Sequence, residues 1–352
     1  MTRLHPNKLP PWAINIALIV LILALYPVDR IMQANLDDYY YLIIVQIGIN
    51  IILATSLNLI NGITGQFSLG HAAFMGIGAY TAGSLLRAYA MGHTAEPRYV
   101  AMFVGVLLLG GVMAAFAGLL IGIPVLRLRG DYLAIATLGF GEIVHTIIIN
   151  TQQIGRDAKP GESYVPLPIG GASGLHNIPL FNNFFWTYAV VIVCVVCVWR
   201  LVYSTKGKAF LAVREDEIAA AAMGVNTTYY KVAAFMIGAF FAGVAGGLNG
   251  TLTQNLDPES YRFMRSIEIV VMVVLGGSGS ITGAIIAAAV LTYLPEGLRY
   301  VKELTGEDLR MVIYSLLLIL MMLLRPEGLL GKREVWWTRR RMPTASVATK
   351  DS

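Results

Sequence analysis

Charge is what this sequence has least of. Of its 352 residues, 13% are Asp, Glu, Lys or Arg, against roughly 25% in soluble domains. That deficit excludes an ordinary water-soluble enzyme. Cysteine is scarcer still. The only two, Cys194 and Cys197, lie one helical turn apart in the apolar run Phe184 to Val202. No second cluster of Cys or His completes a redox or metal centre, so they read as small apolar packing residues. Catalytic motifs are missing too. Lys206-Gly207-Lys208 lacks the leading Gly and the Ser or Thr of a phosphate-binding loop, and there is no H-E-x-x-H or G-x-S-x-G. The chain therefore carries no P-loop ATPase, zincin or α/β-hydrolase signature. The longest outer connection, Asn150 to Asn183, has 34 residues, too few for a catalytic domain but enough for a lid.

What is abundant is apolar: 56% of residues, with a mean hydropathy of +0.65. Runs such as Val100 to Leu126 and Val232 to Leu252 are long enough to cross the ~30 Å hydrocarbon core as helices. Breaks between runs predict ten membrane segments. The first five are Ala13 to Tyr26, Leu42 to Ile60, Phe67 to Leu86, Tyr99 to Leu126 and Leu133 to Ile149. The second five are Phe184 to Val202, Val232 to Leu252, Ile267 to Leu275, Ile281 to Leu294 and Met311 to Leu324. Arg3 and Lys8 precede the first run and no small-x-small cleavage site follows it, so it reads as an uncleaved anchor.

The formal charge of +5 would suggest nucleic acid in a soluble chain. In a membrane chain it reads as loop Lys and Arg, and nucleic acid is not expected. With the N-terminus inside, 16 of the 26 Lys and Arg fall on the inner loops, which agrees with the positive-inside rule. Merging segments eight and nine across Gly276 to Ser280 would put the basic tail outside, so they are kept as two passes. Segment eight is too short to span alone, and at least one of the pair is expected to be a half-helix. Non-helical backbone at that depth must be buried in protein or line a wet cavity.

Three stretches carry information. In segment three, Gly65 to Tyr80, small residues recur, and Asn61 to Gly70 has enough Gly and polar groups to leave the helix, as pathway-building segments do. His71, taken alone, reads more simply as a packed histidine. In segment five, Glu142 and His145 share a face. They suit either a structural hydrogen bond or a proton relay, since a carboxylate within a span costs roughly 3 kcal/mol and needs a partner. In the loop from Ser204 to Lys231, acidic residues precede an Ala run closed by Gly224. The pattern predicts a short capped helix, either a solvated connector or a dock for another protein.

Gly65 to Tyr80 resembles the hallmark of the permease subunits of bacterial branched-chain amino-acid ABC importers, the LivM-type family. Three more stretches agree, in the family's order: Arg127 to Glu142, Arg214 to Asn226, and Leu324 to Gly331. The resemblance implies an all-α polytopic inner-membrane protein with two inverted halves around a central path. Residues 1 to 331 form one permease domain with both termini cytoplasmic, and the basic tail, 332 to 352, is expected to be disordered.

The implied partners are a second, related permease, two cytoplasmic ATPases and a periplasmic solute-binding protein. No cofactor is expected in this chain, since ATP and Mg would sit on the ATPases. The family's E-A-A-x-x-x-G coupling loop occurs with one extra residue after the Glu. Arg214, Glu215, Asp216, Glu217, Ala219, Ala220 and Gly224 are its candidate residues. Candidates for the path are Gly65, Gln66, Ser68, Gly70, His71 and Glu142. Branched-chain amino acids are the first substrate class, with urea or short amides as the alternative. A proton-coupled secondary transporter using Glu142 and His145 is the rival from another class.

Overall fold

The structure is a computed structural model. It describes residues 11–90, 97–126, 128, 130–154, 167–298, 316, 319, 323 and 328–331. In lipid, a chain this apolar must satisfy its backbone within each segment, and eleven α-helices appear among the described residues. They are α1 (Pro11–Asn35), α2 (Asp38–Asn58), α3 (His71–Tyr89), α4 (Pro97–Val125), α5 (Asp131–Asn150) and α6 (Phe184–Val202). After these come α7 (Thr205–Glu215), α8 (Glu217–Ala222), α9 (Thr227–Thr253), α10 (Phe263–Gly276) and α11 (Ile281–Gly297). Six spans are long and apolar enough to cross a membrane: Leu18–Asn35, Asp38–Ile63, Tyr99–Val125, Asp131–Asn150, Phe184–Val202 and Thr227–Thr253. The chain is an all-α polytopic membrane protein. Among the described residues the β-structure is an antiparallel pair, Gln153–Ile154 with Leu167–Pro168, and a bridge between Leu175 and Leu256.

The core forms around α2 and α9. On α2, Ile49, Ile52, Leu53 and Leu57 are fully buried, as are Phe235, Ala239 and Ala242 on α9. Helix α9 packs on α3 and α4 through glycine. A Cβ built on Gly78 would stand 2.0 Å from the carbonyl oxygen of Gly243, so the two backbones touch. Small residues allow this approach where lipid offers no hydrophobic drive for association. The outward face of α4 and that of α1 between Ile16 and Val28 are apolar, with Ile19, Val20 and Leu23 on α1 and Val112, Phe116 and Leu120 on α4 exposed. These are faces for lipid.

Two predicted segments differ in detail. Segment three becomes helical only at His71, because the backbone from Thr64 to Gly70 leaves the helix. Helix α10 has 14 residues, about 21 Å at 1.5 Å each, short of the hydrocarbon thickness. The loop expected to hold one short helix holds two, α7 and α8. Most of the predicted segment Met311 to Leu324, the arm with Arg3 and Lys8, Arg127, Arg129 and the tail 332–352 lie outside the described residues.

Candidate functional site at two helix breaks

Helix α2 does not simply stop. Its last residues widen into a π-helical turn, Leu59–Ile63, a form found mostly as single turns and often at functional sites. The backbone beyond it lies inside the bundle and must find partners. Asn61 provides two of them: its Oδ1 accepts from the Ser68 N–H at 3.2 Å and its amide donates to the Ser68 carbonyl at 3.5 Å. From α5, Thr137 Oγ1 accepts from the Leu69 N–H at 3.0 Å. From α10, Ser266 Oγ accepts from Ala72 at 3.0 Å, in the first turn of α3. His71 Nε2 lies 2.9 Å from Ser56 Oγ on α2. Three helices thus hold the break in place.

The second break joins α10 to α11, with Gly277 at φ +106° and Gly279 at φ +99°, angles that L side chains rarely adopt. Asn58 clamps it as Asn61 clamps the first. Its amide donates to the Ser280 carbonyl at 3.0 Å and its Oδ1 accepts from the Gly279 N–H at 2.8 Å. Position 62 can only be glycine, because a Cβ there would sit 2.0 Å from Asn58 Oδ1 and 2.3 Å from the Gly279 nitrogen. The stretch 328–331 closes the end of α10, with Leu329 N–H donating to the Leu275 carbonyl at 2.7 Å.

The 203–231 loop folds from its own capping residues. Ser204 Oγ accepts from Gly207 N–H at 3.1 Å to start α7. Asp216 starts α8 by accepting from the Ile218 and Ala219 N–H groups at 2.8 and 3.0 Å. Gly224, at φ +83°, ends it. Val225 N–H donates to Ala220 and Gly224 N–H to Ala221, both at 3.0 Å, the pair of bonds that defines a Schellman stop.

The charges of this loop do not all face outward. Glu217 pairs with Lys231 of α9 at 2.7 Å, and Arg214 Nη1 donates to the Gly62 carbonyl at 2.6 Å. What α8 does expose is Ile218, at 69%, and Met223, at 84%. A cleft of about 260 Å³ separates Thr64 to Phe67 from Leu128, Gly130 and Leu133 on one side and Val213 to Glu217 with Lys231 on the other.

Parts of the four stretches that resemble the permease family therefore lie close together at the two breaks: residues 65–67, Gly130 and Leu133, and 214–217 line the cleft, and 328–331 pack on Gly277. Gly65, Gln66, Ser68, Gly70 and His71 lie together in the first break. Ser68 and His71 are fully buried, and the buried amide of Gln66 has no hydrogen-bond partner among the described residues. Glu142 is not with them. It lies five residues beyond Thr137 on α5, partly exposed, with Arg262 Nη2 at 3.9 Å from its Oε2.

His145, one turn further, has its Nε2 3.5 Å from Glu259, and Arg262 binds Glu259 at 2.9 Å. The Arg262 hydrogen bond holds the Glu259 carboxyl below its usual range. Arg265 reaches back to Asn50 of α2 at 2.6 Å. Sequence reading paired Glu142 only with His145 and did not find Arg262 or Glu259. They come from the distant 258–262 stretch, and no local pattern links it to α5.

A family model described as the branched-chain amino acid transport system, permease component, matches residues 39–323. The high-affinity branched-chain amino acid transport system permease protein LivM of Salmonella typhimurium is 38% identical over 303 residues, covering 80% of this chain and 68% of that protein. LivM of Escherichia coli K12 matches to the same extent. The high-affinity branched-chain amino acid transport system permease protein LivH of Salmonella typhimurium is 26% identical over 287 residues, covering 81% of this chain and 92% of its own. No solved structure matches the chain. With a family model matched over residues 39–323 and LivM relatives 38% identical, this multi-pass chain belongs to the permease-component family of branched-chain amino acid transport systems.

Proposed function

We propose that the chain is one of two related permease subunits of an ATP-driven importer for branched-chain amino acids. Solute arrives from a periplasmic binding protein, and energy comes from two cytoplasmic ATPases that carry ATP and Mg. The observation that carries this reading is the meeting of the 203–231 loop with both helix breaks through Arg214, which bonds Gly62 and lies against Gly279.

The 203–231 loop is cytoplasmic in the orientation favoured by the Lys and Arg bias, with both termini inside. The architecture is about ten segments in two inverted halves. Its support is the presence of one discontinuous segment after α2 and another between α10 and α11, each clamped by an Asn of the α2 region.

In this mechanism, exposed Ile218 and Met223 seat α8 on an ATPase, and Asp216 and the Gly224 stop keep α8 rigid enough to act as a lever. ATP binding shifts the balance between two packings of the permease pair, and the path opens to one side and then the other. Gln66, Ser68 and His71 are the path-lining groups of this chain. The Gln66 amide has no hydrogen-bond partner among the described residues, and since a buried amide left unpaired costs about 1–3 kcal/mol, this supports a role in meeting water or solute. Glu142, Thr146 and Asn150 put a polar face on α5 beside the exposed Ile143 and Ile147, a mixed surface unlike the apolar face of α4. Since ionised groups at membrane depth face protein or water, that face is assigned to the second permease.

A proton-coupled mechanism is not favoured, because Glu142 and His145 are engaged with Arg262 and Glu259, away from the first break. The test is uptake by the purified complex in proteoliposomes with its binding protein. Unlabelled leucine, isoleucine and valine are expected to displace labelled leucine, with urea inert. Displacement by urea or short amides would move the substrate to the alternative class.

A further inference from the structure

Arg214 stands in the last turn of α7, two residues before Asp216, the cap of α8, where a charged group has every reason to point to water or to a docked protein. It points inward instead. Its Nη1 donates to the Gly62 carbonyl at 2.6 Å, a short hydrogen bond from an ionised donor, and bonds with an ionised partner are about twice as strong as neutral ones. Gly62 belongs to the π-helical turn, where the regular i to i−4 ladder has ended.

Room for the side chain is made by glycine on both breaks. A Cβ on Gly65 would lie 3.0 Å from Arg214 Cγ, and one on Gly279 would lie 2.8 Å from Nη1. Gly65, at φ +71°, and Gly279, at φ +99°, also need conformations that other residues resist. One guanidinium therefore touches the break after α2 and the break before α11. Asn58 separately joins Gly279 and Ser280 to α2. Close packing against Gly65 and Gly279 limits how far the Arg214 side chain can re-aim, so a displacement of α7 and α8 strains this bond or carries Gly62 along.

We infer that Arg214 is the positioning residue that transmits movement of the ATPase-docked helix α8 to both helix breaks, through its hydrogen bond to the Gly62 carbonyl. The inference rests on the importer reading above, and it gives Arg214 an internal role distinct from ATPase docking. Arginine suits the task because its planar, multi-donor guanidinium can hold a carbonyl while packed between two backbone turns. A lysine has a single flexible ammonium.

The test uses the complete complex in proteoliposomes, measuring solute moved per ATP hydrolysed for the unaltered protein and for R214A, R214Q and R214K. Loss of a charge-assisted hydrogen bond predicts a fall of about tenfold in transport per ATP for R214A and R214Q. ATPase association and hydrolysis are retained, and R214K recovers part of the ratio. A second readout places spin labels at Phe67 and Ala221 in a chain with Cys194 and Cys197 replaced by Ala. In the parent, trapping with ATP leaves the label distance unchanged because the two segments move together; in R214A it changes.

An unchanged ratio in R214A overturns the inference, as does a distance that responds to ATP equally with and without Arg214. Proportional loss of association, hydrolysis and uptake in both R214A and R214Q marks a merely structural residue and also overturns it. If the unaltered complex moves solute without ATP, the importer reading fails instead.

Discussion

Glu217 is the residue on which the family resemblance and the geometry differ most usefully. By resemblance it opens the coupling motif, yet here it faces α9, 2.7 Å from Lys231 Nζ, with side-chain exposures of 27% for Glu217 and 10% for Lys231. E217Q keeps the size and removes the charge, leaving the ammonium where little water reaches it. Removing one partner of a buried pair costs about 3–5 kcal/mol, whereas exposed pairs are worth about 0.2–1 kcal/mol. The partial exposure of Glu217 puts E217Q between these limits, at about 2 kcal/mol. K231M leaves a carboxylate that solvent still reaches, so it costs less, about 1 kcal/mol.

The double variant removes both charges and is expected within about 1 kcal/mol of the parent, as neutral replacements of buried pairs often are. The assay is thermal unfolding of the purified chain at one fixed scan rate, together with ATPase co-purification. Recovery of both stability and association in the double variant is the expected result. If stability returns but association stays lost, the Glu217 carboxylate meets the ATPase directly. If the double variant is as unstable as E217Q, the pair is not what Glu217 contributes.

Two further outcomes follow from the packing and from the exposed face of α8. Gly-to-Ala in a helix is normally worth about 1 kcal/mol in favour of Ala. At Gly78, however, the new Cβ would meet the Gly243 carbonyl at 2.0 Å, and overpacking of about 1–3 kcal/mol reverses the sign. G105A, with nothing within 4 Å, is expected to hold or raise the apparent Tm at the same scan rate, while G78A lowers it. Replacing Ile218 and Met223 together by Asp leaves the fold intact, since both project from α8. The lost burial of two apolar side chains, about 1.5–3 kcal/mol each, is expected to weaken ATPase co-purification at least tenfold.

The apolar runs were legible in the sequence because in lipid the backbone has few alternatives to helix, and each of the nine runs within the described residues recurs in a helix, Phe67 to Leu86 only from His71 onward. The departure from helix between Asn61 and Gly70 was legible from its Gly and polar residues, and α8 from Asp216 and Gly224. Other features could not be read, for the same underlying reason. The π-helical turn at Leu59–Ile63, the clamps by Asn58 and Asn61, and the reach of Arg214 to Gly62 all depend on groups far apart in sequence. The Arg262 and Glu259 partners of α5 are of the same kind. Composition also gave no sign that Arg214 and Glu217, written side by side with solvent-facing charges, turn into the fold. Only the positions of α9 and the two breaks decide that.

The measurement closest to the central claim is solute uptake by sealed vesicles holding the complete complex, with internal ATP and the proton gradient controlled separately. Uptake that continues when an uncoupler collapses the gradient and stops when internal ATP is removed is the predicted result. Uptake that follows the gradient and ignores ATP would contradict the account, and would return Glu142 and His145 to the centre of the mechanism.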